Sequence, residues 1–94
     1  MGNPRPRPQH LARKLLKIRR TLGLSQMQLI KLMEVDDTVA YHRISEYELG
    51  RREPSLSMLL AYARVAGVHL EDIVNDLVEL PGRLPGKVKH PGPN

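Results

Sequence analysis

Seven of the eight prolines in this chain lie outside residues 9 to 80. Proline fixes φ and lacks an N–H, so neither a helix interior nor a central strand runs through such stretches. Pro4, Pro6 and Pro8 alternate with Asn3, Arg5 and Arg7, which predicts an extended, flexible basic arm over residues 1–9. Pro81-Gly82 through Pro91-Gly92-Pro93-Asn94 predicts a flexible Pro/Gly-rich basic tail over residues 81–94. One folding unit, residues 10–80, is left between them. At about 70 residues it stands near the lower size limit for a self-sufficient core, so association with a second copy is expected.

The packing material inside that unit is almost all leucine. The chain has fifteen Leu, three Tyr and neither Phe nor Trp. Strands favour aromatic and β-branched residues, so this composition points to an all-α fold. The absence of Cys removes disulfides, thiolate nucleophiles and thiolate metal sites, and fits a reducing cytosol. No apolar run approaches the roughly 20 residues of a membrane span, and no apolar signal-peptide core follows Met1.

Periodicity and caps predict five short helices in a compact bundle. Leu11, Leu15, Ile18 and Leu22 form one stripe, with Arg13, Lys14, Lys17 and Arg20 expected largely on the other side and Gly23 as the stop. Ser25 and Gln28 have capping-box spacing before an apolar second helix of Met27, Leu29, Ile30, Leu32 and Met33. A third helix, about 38–49, would be capped by Asp36 or Asp37. Ala40, Ile44 and Tyr47 would face inward, His42, Ser45, Glu46 and Leu49 outward, with Tyr41 and Arg43 at the flanks. Ser55 caps a fourth helix expected to turn Leu56, Leu59, Leu60 and Ala63 inward, closed by Gly67 with Val68 covering its end. The fifth carries Leu70, Ile73, Val74 and Leu77, with Glu71 and Asp72 at its positive end and Pro81 as the stop.

Charge is unevenly distributed. Residues 1–22 carry +7 with no acid, residues 23–80 carry −5, and residues 81–94 carry +3. A basic arm and first helix on a mildly acidic body suggest a polyanion approached from one side, although solubility charge on flexible ends would look the same.

Gly23-Leu24-Ser25-Gln26, then Ile44-Ser45-Glu46-Tyr47-Glu48-Leu49-Gly50, Pro54-Ser55 and Gly67-Val68 occur in an order that resembles the helix-turn-helix domain of phage Cro and repressor proteins, the XRE type. The resemblance covers about residues 11 to 78. It implies a lambda-repressor-like fold and a sequence-specific DNA-binding transcriptional regulator, binding a two-fold site on double-stranded DNA as a homodimer. It also implies a cytoplasmic, nucleoid-associated protein of a bacterium or phage. Ser25, Gln26 and Gln28 would meet phosphate at the second helix's N-terminus. Tyr41, His42, Arg43, Ser45 and Glu46 would lie in the major groove, where Arg43 can fork onto guanine and Glu46 can accept from a cytosine amine. Arg51 and Arg52 would contact the backbone. Each of these residues has the plain alternative of a solvated surface position.

Three departures from the family pattern bear on the site. Val35 and Ile44 are separated by eight residues where the family has about four. Glu34 stands at the family's turn glycine, so the usual tight turn is expected to be absent and the third helix to begin earlier or at a shifted angle. Asp36 and Asp37 add acid to a face meant for phosphate. Arg5 and Arg7 could reach a minor groove, or the arm could simply add non-specific affinity.

The fifth helix with Val78 and Leu80 is a candidate dimer surface, unless Leu80 caps its own core. A second reading is a protein-interaction module on the same fold, or an antitoxin-like regulator whose partner is a toxin or co-regulator. Leu49 on the outer face and the insertion favour that reading. Catalysis is not expected. His10, His42, His69 and His90 lack metal-ligand spacing, and there is no phosphate loop, nucleophile elbow or cofactor motif.

Overall fold

The computed structural model describes residues 8–34 and 42–85. Among these residues all regular structure is helical: α1 (Leu11–Thr21), α2 (Gln26–Met33), α3 (His42–Glu48), α4 (Leu56–Ala66) and α5 (Leu70–Val74). The arm residues Arg5 and Arg7, the tail beyond residue 85, and Asp36, Asp37, Ala40 and Tyr41 lie outside the described residues.

The helices begin and end on local signals. Ser25 Oγ accepts the Gln28 N–H at 3.0 Å while Gln28 Oε1 accepts the Ser25 N–H at 2.8 Å, a complete capping box. Ser55 Oγ accepts from Met58 N in the same way, and Gly67 closes α4 in the left-handed region with Val68 packed over the end. Leu11, Leu15, Ile18 and Leu22 are all buried, as their spacing requires. α1 lies at the centre of the bundle, against α3, α4 and α5, while α2 packs on α3 and α4. Removing Leu15 or Ile18 from water contributes roughly 1.5–3 kcal/mol each. Tyr62 is the largest fully buried side chain. Its hydroxyl has no hydrogen-bond partner among the described residues and burial pushes its pKa well above the usual tyrosine range, so it stays neutral and fills the place of the missing Phe.

Four expectations are corrected. Lys14 is not on the solvent side. It is fully buried, and its Nζ donates to the carbonyls of Asp72, Asn75 and Val78 at 2.9, 2.9 and 2.6 Å. Lys14 follows Leu11 by three and precedes Ile18 by four, so it stands on the edge of the apolar stripe, where a long stem can enter.

α5 ends at Val74 rather than reaching Leu77, which is 93% exposed. Asn75 is extended, its Oδ1 accepts the Leu77 N–H at 2.9 Å, and its carbonyl turns to Lys14. Such an Asx turn competes with the next helical turn.

Leu56 and Leu60 face outward, 63% and 48% exposed. α4 buries Met58, Leu59, Tyr62, Ala63 and Ala66 against α1, α2 and α5, and that face lies to one side of the Leu56–Leu60 line. Leu80 packs into its own core, 5% exposed, and Leu84 packs partly against the same core. The Leu80 side chain is therefore not free to form a dimer surface, while Val78 stays half-buried.

The segment after α5 is fastened to the start of α1. Asp76 accepts the N–H groups of Gln9 and His10 at 2.7 and 3.0 Å, and Arg13 reaches Glu79 at 3.3 Å. The bonds from Gln9 and then His10 hold the Asp76 carboxyl below the usual carboxylate range.

Candidate nucleic-acid interface

The end of α1 leads into the interface. Arg19 forks onto Glu48, with Nε to Oε2 at 2.6 Å and Nη2 to Oε1 at 2.9 Å, and its Nη1 donates to the Leu24 carbonyl at 3.0 Å. Gln26 Nε2 adds a third donor to Glu48 at 3.2 Å. The Glu48 side chain is 5% exposed and that of Arg19 16%. The carboxylate raises the Arg19 pKa further above its ordinary value. One buried carboxylate thus ties the end of α1, the capped start of α2 and the end of α3 together. Nothing in the spacing of the sequence pairs Arg19 with Glu48, which stands 29 positions away. The one trace of that pairing is that Arg19 precedes Leu22 by three, on the margin of the buried stripe, a place that a solvent-facing arginine takes equally well.

At the start of α2, Ser25 and Gln28 are exposed and Gln26 is half-buried. The Gln28 carbonyl oxygen is engaged in the capping box and one Gln26 amide N–H in the Glu48 bond. Each side-chain NH2 carries two hydrogens, so both retain donors for a phosphate. The first-turn N–H groups of α2 have no partner within the helix and carry its positive dipole end.

On α3, Ile44 and Tyr47 are buried, His42 and Leu49 exposed, and Arg43, Ser45 and Glu46 half-buried, matching the expected faces. Glu46 Oε1 accepts from Arg43 Nη1 at 3.0 Å and from Arg52 Nε at 3.0 Å. The Arg43 bond first, and then Arg52, hold the Glu46 carboxyl below the usual carboxylate range. Arg51 and Arg52 are both exposed just past Gly50, whose φ of 75° lets the chain leave the helix sharply. Tyr41 lies outside the described residues.

The conformation of Glu34 differs from expectation. Glu34 adopts φ 57°, ψ 35°, the left-handed conformation, and its N–H reaches the Lys31 carbonyl at 3.3 Å. The residue that should have excluded the glycine's conformation adopts it. A left-handed residue therefore closes α2 at the expected place, and Arg64 Nη2 donates to the Met33 carbonyl beside it at 2.7 Å. Residues 35–41, where the additional residues fall, lie outside the described residues.

A capped short helix, a left-handed residue at its end and a following helix with an outward polar side form one connected unit. A family model described as helix-turn-helix matches residues 15–73. The chain belongs to the XRE-type helix-turn-helix family. It is accordingly a DNA-binding regulator of that type, in a family of DNA-binding domains rather than enzymes. No curated protein and no solved structure matches the chain. Among the described residues no group of His, Asp and Glu could hold a metal ion, and no helix is long and apolar enough to cross a membrane.

Proposed function

We propose that this helix-turn-helix protein is a sequence-specific transcriptional regulator that lays α3 in the major groove and binds a two-fold operator as a homodimer. The observation that carries the reading is the buried Arg19–Glu48–Gln26 cluster. It fixes the phosphate-facing start of α2 relative to the helix bearing His42, Arg43, Ser45 and Glu46, so base contacts and backbone contacts would share one rigid frame. Arg51 and Arg52 extend that frame along the backbone. Leu70 and Val74 of α5, with Leu56, line a groove of about 320 Å³, an apolar surface that a second copy would use.

Selection from a random duplex library, followed by a salt series on the enriched sites, tests this reading. Enrichment of a short palindrome with half-sites about 10 bp apart is the expected result. The double variant Arg51→Ala/Arg52→Ala should weaken binding on every sequence and reduce the salt slope by up to about two units. Weak, salt-steep binding without enrichment would overturn sequence recognition. It would favour the second reading, a module or antitoxin-like regulator binding a partner protein, which draws support from exposed Leu49, Leu56, Leu60 and Leu77.

A further inference from the structure

We propose that Glu46 is a positioning residue rather than a base reader: its carboxylate holds Arg43 and Arg52 together so that base contact and phosphate contact are made as one unit. This rests on the DNA-reading function proposed above. The geometry is specific. Arg43 lies one turn before Glu46 on α3, Arg52 lies in the loop beyond Gly50, and both donate to the same oxygen, each at 3.0 Å. Without Glu46, the helix and the loop would each present a guanidinium free to search alone.

A guanidinium has five N–H donors, so one bond to Glu46 leaves Arg43 with its Nε and Nη2 edge for a guanine and leaves Arg52 with both terminal nitrogens for a phosphate. The three side chains together carry one positive charge rather than two, which lowers attraction to phosphates in general. Their exposures of 36%, 34% and 50% place all three within reach of DNA. They also mean the cluster adds little to folding, since exposed ion pairs are weak. Its effect lies in direction and charge: Glu46 costs indiscriminate affinity and gains discrimination.

Two measurements on the full chain test this. In the free protein, the Arg52 Nε–H should exchange with solvent more slowly in wild type than in Glu46→Ala. With DNA, Glu46→Ala should bind a random-sequence duplex more tightly, steepen the salt slope by up to about one unit, and lower the ratio of selected-site to random-site affinity by about fivefold or more. In an Arg52→Ala background the change in slope should shrink.

If wild type enriches no sequence, the DNA-reading function fails and the coupling with it. If wild type enriches a sequence but Glu46→Ala leaves ratio and slope unchanged, the coupling alone is overturned. A changed preference at a single base pair with unaltered random-duplex affinity would make Glu46 a direct reader and also overturn it. Equal Arg52 Nε–H exchange in the two proteins would show that the cluster does not form.

Discussion

Glu46 and Glu48 stand two residues apart on α3, roughly 200° around the helix axis. Both gather arginine, and they do so in opposite settings. Glu48 faces the bundle, where Arg19 and Gln26 meet it with its side chain 5% exposed. Glu46 faces outward, where Arg43 and Arg52 meet it with its side chain 34% exposed. In low dielectric a charge left without its partner is expensive, so the Glu48 cluster locks three helices into one geometry. In water the same chemistry is cheap to rearrange, so the Glu46 cluster can remain open to a ligand. Burial, not residue type, separates the brace from the outward cluster.

The contrast is most sharply broken by two alanines. Glu48→Ala should lose about 3–5 kcal/mol of unfolding free energy, because it strands a largely buried Arg19, whereas Glu46→Ala should leave the unfolding free energy nearly unchanged. Urea unfolding of both variants decides it, and equal losses would erase the distinction. Lys14→Met asks whether a buried cation without any carboxylate behaves like the Glu48 cluster. The apolar stem is kept while three carbonyls lose their donor, so a loss of about 3 kcal/mol is expected. A loss under about 1 kcal/mol would mean that water takes over those carbonyls. The smallest effect belongs to Glu34→Gly, which should gain roughly 0.5–1 kcal/mol by relieving a left-handed non-glycine, net of glycine's extra chain entropy. A loss there would mean that the Glu34 side chain contributes more than its backbone strain.

What could be read in the sequence follows from how local each signal is. Ser25 with Gln28, Ser55, Gly23 and Gly67 act within four residues of themselves, so the end of α1, the start of α2 and both ends of α4 stand where their caps say. The motif order from Leu24 to Val68 carried the family. Lys14 and Arg19 were not legible as interior residues, because a cation's ordinary place is solvent and only carbonyls from residues 72–78, or a carboxylate 29 positions away, make burial tolerable. Leu56 and Leu60 misled for a related reason. A stripe shows that a helix has an apolar side, while the neighbours decide which of two adjoining apolar sides is covered. Within the interface, the outward side of α3 was legible from its period. The sharing of one Glu46 oxygen by Arg43 and Arg52 was not, since it depends on how the loop folds back past Gly50.

The clasp between Gln9, Lys14 and the residues after α5 has a mechanical meaning. The last stretch of the folded unit returns to the corner where it begins, with Gln9 hydrogen-bonded to Asp76 and Arg13 paired with Glu79. A pull on the two ends would therefore load that corner first, drawing Leu80 from the core and opening the Asp76 bonds before the helices part. By the same token the unit is almost a closed ring. A short linker joining its two ends would leave the fold intact and allow new ends to be cut elsewhere on the surface, as circular permutation requires.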